Sequence, residues 1–306
     1  MGDGMKILVT GSGGFLGHFL VKRLISEGHQ VTTFSSKECD LTEQGSLAQF
    51  SHVSFDMIYH LAAWTQAGDF CLYHPGEQWI KNQLINTHVL NFWHEKQPQA
   101  KLIAMGTSCG YDPRLPLEER YYLEGHPIDS LFTYGMTKRM LLVGLEALAK
   151  QYGLKYLYVI PSTLYGPNYH TDGRQMHFIF DLMRKILRGK TLGEKVVLWG
   201  DGHQKREIIH VEQFVSHLLA LNERIENRAV NIGAGQEYSI REFAYLICEQ
   251  IGYPFEKIEF DLLKYVGAKS KVLNIQLLQS ILLDRKEISL EEGIEETLYW
   301  LQECMV

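Results

Sequence analysis

The chain predicts an α/β fold, a doubly wound parallel sheet followed by a smaller C-terminal domain. Three observations carry this. From residue 6 to about 160, short apolar runs alternate with amphipathic stretches of helix length, the pattern of parallel strands joined by crossover helices. The first run ends directly in a glycine-rich turn. Beyond Pro167 the alternation fails, and polar loops of uneven length separate the elements.

Residues 6–10 (KILVT) form the first strand. Gly11-Ser12-Gly13-Gly14-Phe15-Leu16-Gly17 follows, and an amphipathic stretch runs from 18 to 27. Strand, glycine turn and helix in this order point to a dinucleotide site. Gly11 permits the tight turn, Gly14 lets a pyrophosphate approach the backbone, and Gly17 lets helix and strand pack closely. The helix start offers N–H groups to the phosphates, with Gly13, Phe15 and Leu16 beside them. The second strand, 30–34, ends in Ser35-Ser36-Lys37, where an NAD-preferring site often carries an acid for the ribose 2′-OH. Two hydroxyls and an ammonium suit a 2′-phosphate, so NADP(H) is favoured. NAD(H) stays open, and a plain solvated turn is the other reading. Asp40 and Leu41 are expected on the adenine side. A third strand, 54–61, carries Leu61 into Ala62-Ala63, small enough for close cofactor approach. A helix over 77–95 has Trp79, Ile80, Leu84, Val89, Leu90 and Phe92 as apolar positions, and places Asn82 and Asn86 on the sheet side or the surface. Pro98 stops it before the next strand, 101–106.

That strand ends in Thr107-Ser108-Cys109, and a long helix runs from about Tyr134 to Tyr152. Polar groups at the C-terminal end of a strand in an open α/β sheet lie where such folds place their sites. A spacing of four puts Tyr134 and Lys138 on one helix face. A tyrosine is a weak acid at neutral pH; a neighbouring ammonium and a cationic nicotinamide are expected to lower its pKa. It can then pass a proton to a carbonyl oxygen while hydride reaches the carbon.

A strand over 155–160 leads into Pro161-Ser162-Thr163-Leu164-Tyr165-Gly166-Pro167. A polar loop, 168–176, precedes a helix from His177 to about Arg188 that carries Arg184 and Lys185. Strand-like 195–199 ends at Trp199, the turn Gly200-Asp201-Gly202 follows, and Arg206-Glu207-Ile208-Ile209-His210-Val211 leads into a helix over 212–221. A short strand ends at 231–233. Helices are expected over 239–250 and 289–300, the last with an acidic first turn that suits the helix dipole. The domain boundaries that follow are 1–165 for the dinucleotide-binding domain, with a contribution from about 207–233, and mainly 166–306 for the smaller domain.

Composition narrows the function. Apolar residues make up 45% of the 306, and the net charge is −6. This argues against a nucleic-acid partner held by phosphate neutralisation. Five cysteines, odd in number and without a CxxC pair, point to a reducing compartment. Thirteen histidines include no HExxH, so no metal site is expected. No apolar run reaches the length of a membrane span, and the N-terminus enters a strand at once. The expectation is a cytoplasmic protein without a membrane partner.

With these motifs in view, the whole chain resembles the extended short-chain dehydrogenase/reductase family of nucleotide-sugar enzymes. Gly11 to Gly17 matches that family's cofactor motif, Tyr134 and Lys138 its YxxxK pair, and Thr107 its catalytic Ser/Thr. Leu164-Tyr165-Gly166-Pro167 matches its LYGP segment. Arg206-Glu207-Ile208-Ile209-His210-Val211 matches its R-[DE]-[FY]-x-H-V segment, with isoleucine for the common aromatic. The resemblance implies a Rossmann domain, a smaller nucleotide-sugar-binding domain, and a homodimer through helices near 77–95 and 134–152. Within the family the likeness is greatest to the GDP-L-fucose synthase branch, the GDP-4-keto-6-deoxy-mannose 3,5-epimerase/4-reductases. These carry a Cys after the Ser-Ser and a His at the helix after the LYGP loop, positions held here by Cys109 and His177. The resemblance implies that Arg206 grips the substrate pyrophosphate, and that Thr163, Trp199 and, at the nucleotide end, Arg184 and Lys185 also contact a GDP-linked 4-keto sugar. A 4,6-dehydratase would carry an acid where Ser108-Cys109 stands.

The chemistry of that pair can be argued independently. C–H bonds beside a 4-keto group are acidic, and inverting such a carbon needs a base on one face and an acid on the other. A thiol lowered by nearby cations is a plausible base, and histidine a plausible acid. The expected reaction is C3 and/or C5 epimerisation by Cys109 and His177, then NADPH-dependent C4 reduction with Tyr134 as proton donor, Lys138 beside it, and Thr107 and Ser108 on the ketone. The chain also departs from that branch. It has Gly13 where an arginine is expected, Thr163 where Asn is common, and an unmatched loop from Gly68 to Gly76 containing Phe70, Cys71, Tyr73 and His74. A GDP-4-keto-heptose or another 4-keto hexose therefore stays open as substrate. So does a C4 reductase or 4-epimerase that uses Cys109 and His177 only to bind sugar. A cofactor-sensing protein without catalysis is a further rival, and the intact Thr107, Tyr134 and Lys138 argue against it.

Overall fold

The structure is a computed structural model and describes residues 4–67, 70–264 and 269–304. In chain order its first half comprises β1 (Lys6–Thr10), α1 (Phe15–Ser26), β2 (Gln30–Thr33), β3 (Met57–His60), α2 (Phe70–Tyr73), α3 (Pro75–Lys96), β4 (Lys101–Met105), α4 (Phe132–Tyr152) and β5 (Tyr156–Pro161). The second half comprises β6 (Thr163–Tyr165), α5 (Phe178–Leu192), β7 (Val197–Trp199), β8 (Lys205–Arg206), β9 (Ile208–His210), α6 (Val211–Arg224), β10 (Arg228–Ile232), β11 (Tyr238–Ser239), α7 (Ile240–Ile251), β12 (Glu259–Asp261), α8 (Gln276–Ile281) and α9 (Leu290–Cys304).

Six strands form one parallel sheet in the order β10-β5-β4-β3-β1-β2. Ile7, Leu8 and Val9 of β1 are buried, as the continuous apolar runs of a sheet covered on both faces require. From β1 the chain goes first to β2 on one side and then to β3 on the other. The crevice at that reversal, outside the carboxyl ends of the strands, is where such sheets hold ligands. A Rossmann-like sheet with a C-terminal subdomain is thus the observed architecture. The subdomain contains the pairs β6–β9, β7–β12 and β8–β11. The short strands β11 and β12 and the helix α8 carry no periodic signal long enough to be read from sequence.

Two hydrophobic clusters hold the molecule together. One fills the sheet and its helices; the other joins α5, α7 and α9 through Phe180, Met183, Ile186, Phe243, Ile247, Ile294 and Leu298. Phe15 packs against both, its ring edge-on to Phe19 at 5.6 Å, Tyr169 at 5.1 Å and Phe180 at 6.2 Å. The glycine turn is thereby fixed against the loop before α5.

Three local expectations change. The third strand shortens to β3, because Phe55 N–H leaves the strand ladder to bond Gln97 Oε1. The stretch from Gly68 to Gly76 is not simply a loop: α2 lies within it, and α3 begins at Pro75, a favoured first-turn position. Gly68 and Asp69 lie outside the described residues. The buried face of α3 is also not the one its large apolar residues mark. Gln78, Asn82, Ile85, Asn86, Val89, Phe92 and Trp93 point inward. Trp79, Ile80 and Leu84 are 42%, 60% and 38% exposed. Amides replace apolar residues on the inner face because they hold neighbouring loops, described below. Among the described residues, no helix is long and apolar enough to cross a membrane.

Candidate active site

The glycine turn fits a dinucleotide. Gly11 has φ +70, and a Cβ there would meet Ala62 N at 2.7 Å. A Cβ on Gly17 would collide with Gly11 O, whereas around Gly13 there is open space. Gly14 is the N-cap of α1 and makes no side-chain cap, so the helix start presents N–H groups and a positive dipole end to a phosphate. Thr10 Oγ1 accepts from Ala62 N–H at 3.2 Å, which fixes Leu61, Ala62 and Ala63 beside the turn. Asn82 holds the next residue at both ends, accepting from Trp64 N–H at 2.8 Å and donating to Trp64 O at 3.0 Å.

The ribose end is more crowded than its sequence suggests. The Glu38 carboxylate takes both donors of Ser35, the backbone N–H and the hydroxyl, each at 2.8 Å. These bonds hold its pKa low. Ser36 and Lys37 are exposed beside it. Asp40 is turned onto Thr42, accepting from its N–H at 2.9 Å and its hydroxyl at 2.7 Å. Leu41 is buried, and its carbonyl contacts His88 Nδ1 at 2.8 Å. An acid at the end of β2 was missed because it comes three residues late and folds back through a turn.

At the end of β4 the chain turns sharply. Thr107 caps a 3-10 turn, Ser108–Gly110, accepting from Cys109 N–H at 3.2 Å. Behind it Tyr122 donates to Thr107 O at 3.2 Å and contacts Tyr158 Oη at 3.1 Å. Tyr158 in turn donates to Lys138 O at 2.8 Å. Thr107 and Ser108 are thus buried and tied through two phenols to α4. Lys138 Nζ donates to Met105 O at 2.9 Å and lies 5.9 Å from the centroid of the Tyr134 ring. Arg139, also buried, donates to the carbonyls of Gly110, Gly125 and Glu124 at 2.7, 2.9 and 2.6 Å. The close approach of α4 to this turn requires Gly135, where a Cβ would sit 2.9 Å from Cys109 O.

The electrostatics correct one expectation. Lys138 does not lower Tyr134 within the protein alone. Burial dominates and pushes the Tyr134 phenol well up, with Cys109, Cys71 and Tyr122 adding to it. Lys138 stands back from the ring, and burial lowers its own pKa to about 8. Cys109 goes the other way. Burial alone would raise its thiol, but the Lys271 ammonium, 3.1 Å from Sγ, with bonds from Thr107 and Ser108, brings it below its ordinary value. Lys271 comes from an irregular segment far along the chain and was not legible from sequence.

His177 is the N-cap of α5. Its residue surface is exposed although protein crowds the ring, and that crowding, with His170 and Lys271, pushes its pKa down. The other expected substrate residues are more dispersed. Pro161 ends β5 beside Ile232 of β10, and Thr163 begins β6, paired with Ile208. Trp199 is 56% exposed at the end of β7, with Lys264 Nζ 5.6 Å from its ring centroid. Arg206 lies on β8, opposite Tyr238. Arg184 and Lys185 both pair with Asp181 of their own helix, at 2.8 and 2.9 Å.

Sequence also missed a buried relay behind the site. Thr10 Oγ1 lies 2.9 Å from His60 Nδ1, and His60 Nε2 lies 3.0 Å from Asn86 Oδ1. Asn86 Nδ2 donates to Thr137 O at 3.4 Å. It links the ends of β1 and β3 through α3 to the turn of α4 between Tyr134 and Lys138.

Comparison with known proteins agrees with this architecture. A model of the NAD dependent epimerase/dehydratase family matches residues 7–233. GDP-L-fucose synthase 1 of Arabidopsis thaliana is 30% identical over 302 residues, covering 96% of this chain and 92% of that protein. A GDP-L-fucose synthetase from Naegleria fowleri superimposes with a TM-score of 0.88 at 22% identity, covering 99% of this chain and 95% of that one. A GDP-6-OMe-4-keto-L-xylo-heptose reductase from C. jejuni does so with a TM-score of 0.86 at 21% identity, covering 99% of both chains. The chain belongs to the NAD-dependent epimerase/dehydratase family, as a homologue of GDP-L-fucose synthase.

Proposed function

We propose that the protein reduces the C4 ketone of a GDP-linked 4-keto sugar with a nicotinamide coenzyme, NADPH favoured. The observation that carries this is the assembly at the end of β4: Thr107 and Ser108 buried at the turn, Lys138 bonded to Met105 O, and Tyr134 one helical turn before it. A bound reduced nicotinamide supplies hydride. The glycine turn and the start of α1 would hold its phosphates, with Leu61, Ala62, Ala63, Tyr134, Lys138 and Pro161 along its length. Thr107 and Ser108 orient the ketone. The Tyr134 phenol, kept protonated by burial, gives its proton to the oxygen as negative charge develops there. A protonated phenol suits this direction, in which the protein must start as the acid. Arg206, Trp199 and Thr163 serve the sugar nucleotide, and Arg184 and Lys185 its far end if they release Asp181.

A second reading adds epimerisation at C3 and/or C5. The contact between Lys271 and Cys109 supports it, because a thiol so placed is a base. Cys109 would take the proton beside the ketone, the C–H electron pair passing into an enolate, and His177 would return a proton from the other face. The low pKa of His177 makes this proton return the weaker step, so reduction alone is the primary reading.

A homodimer through α3 and α4 is part of the proposal. These helices pack side by side and leave Trp79, Ile80, Leu84, Met140 and Val143 partly exposed, more apolar surface than two solvated helices need. The cysteines, none in a disulfide, suit a reducing compartment such as the cytoplasm. The test is a panel of GDP-, dTDP- and UDP-4-keto sugars with NADPH and NADH in deuterated water, with products read by NMR. Reduction without deuterium at C3 or C5 supports the primary reading, and deuterium there supports the second. No coenzyme oxidation with any member would overturn both.

A further inference from the structure

The segment from Lys269 to Ile275 belongs to no helix or strand, yet its backbone is held at Lys269, Lys271, Leu273 and Asn274. Lys205 N–H donates to Lys269 O at 2.8 Å. The Glu237 carboxylate accepts from Ser270 Oγ at 2.7 Å and from Lys271 N–H at 3.2 Å. Glu207, buried at the β8–β9 junction, accepts from Leu273 N–H at 2.9 Å and from Gly235 N–H at 2.7 Å. Asn274 N–H donates to Leu117 O at 3.0 Å, and its own carbonyl accepts from Asn231 Nδ2 at 2.9 Å. An irregular segment with so many fixed backbone groups is held for what it carries. Its side chain nearest the site is Lys271, with Nζ 3.1 Å from Cys109 Sγ.

We propose that Lys271 is a positioning residue for Cys109, its ammonium holding the sulfur as a thiolate at the end of β4. An opposite charge at contact distance favours the charged form of the thiol against the burial that opposes it. The groups around the pair do not supply that charge. From its own turn Cys109 meets Thr107 and Ser108, and Tyr134, Cys71 and Tyr122 face it from α4, α2 and the 121–122 turn. All of these are neutral or become anionic on titration. The same Lys271 charge is felt by His177 and Glu207, whose pKa values it pushes down. The inference rests on the second reading of the proposed function only for the use of the thiolate, as base toward a carbon-bound proton. The thiolate itself is a property of the protein alone.

The three buried cysteines elsewhere sharpen the assignment. Cys39, Cys71 and Cys248 are buried, and burial raises each of their thiols. Cys109 alone of these four is lowered, so it is the one expected to ionise first. The test is the ultraviolet absorbance of the thiolate, followed against pH as the difference between wild type and Cys109→Ser. Its midpoint is expected below the ordinary thiol value of about 8.5. In Lys271→Met it should rise by about one pH unit or more, and Lys271→Arg should restore it. Iodoacetamide labelling at about neutral pH should slow about tenfold in Lys271→Met for each unit of that rise, with exposed Cys304 as reference in the same sample. A wild-type midpoint at or above about 8.5, or a midpoint unmoved in a Lys271→Met protein of unchanged melting temperature, overturns the proposal. Neither measurement uses substrate, so absence of sugar-nucleotide turnover would overturn the proposed function and leave this result standing.

Discussion

His60 makes the stability of the site-bearing sheet depend on pH. Its ring is buried between Thr10 and Asn86, and burial first, then the Lys138 charge, push its pKa from 6.5 down to about 4 against the Asn86 bond. The relay has a direction. Ala62 N–H donates to Thr10 Oγ1, so the Thr10 hydroxyl is available to donate to His60 Nδ1. Nε2–H then donates to Asn86 Oδ1, and Asn86 Nδ2 to Thr137 O. This tautomer follows from the network, and it satisfies every member only while the imidazole is neutral. The unfolded chain therefore binds the proton first. The stability contributed by a neutral His60 is present above about pH 6.5 and is lost as pH falls toward about 4. A shift of that size corresponds to about 3 kcal/mol in all, of which about 2 kcal/mol is lost between about pH 7 and about pH 5. Unfolding entropy near 2.1 cal/mol/K per residue gives about 0.64 kcal/mol/K for 306 residues. His60→Gln should therefore lose about 3 °C less of melting temperature than wild type over that interval. Calorimetry at the two pH values measures it. Part of the slope should survive, because buried His217 is also pushed down to about 4. Equal pH slopes in wild type and His60→Gln would refute the neutral relay.

Other perturbations act closer to the chemistry. Tyr134→Phe should lower kcat by about 10²–10⁴-fold while coenzyme affinity, read by fluorescence titration, changes little. Glu38→Gln should raise the ratio of kcat/KM for NADPH over NADH, because it removes a carboxylate from the two Ser35 donors that a 2′-phosphate would need. An unchanged ratio would mean that the 2′ position lies elsewhere. Gly106→Ala should cost about 1–3 kcal/mol of stability, since its Cβ would meet the Tyr158 ring at 2.7 Å and displace the phenol that bonds Lys138 O. Thermal unfolding checks it.

What sequence could show follows from how local each signal is. Gly11 to Gly17 lies within one turn and one helix start, and Tyr134 and Lys138 are four residues apart on one helix, so spacing alone brings them together. The alternation of apolar runs likewise made the parallel sheet legible. Three features resisted for physical reasons. On α3 the apolar positions Val89 and Phe92 are buried, but Trp79, Ile80 and Leu84 are not, and Gln78, Asn82 and Asn86 share the inner face instead. There the amides bond the loops beside the site, Asn82 to the backbone of Trp64 and Gln78 to Thr65 and Cys71, and Trp79, Ile80 and Leu84 are left partly exposed. At the end of β2, Ser35-Ser36-Lys37 reads as an anion cradle until Glu38 folds back into it. The pKa of Tyr134 was expected to follow its nearest cation in sequence, whereas burial sets it.

Cys109 and Lys271 show the limit most sharply. They are 162 residues apart, and Lys271 lies in a stretch without helix or strand periodicity. A single sequence contains no local pattern that joins them. Yet the fold requires the meeting. Glu207 follows Arg206 directly in the chain, and its carboxylate fixes both the 233–235 loop and Leu273, two residues from Lys271. The short segment that contains Arg206, proposed above for the sugar nucleotide, thus also sets the position of the ammonium on the thiol. Loosening Glu207 would disturb both at once, whereas Lys271→Met touches only the second. The contrast between those two substitutions separates a cysteine that merely fills space at the end of β4 from one that the subdomain arms as a base.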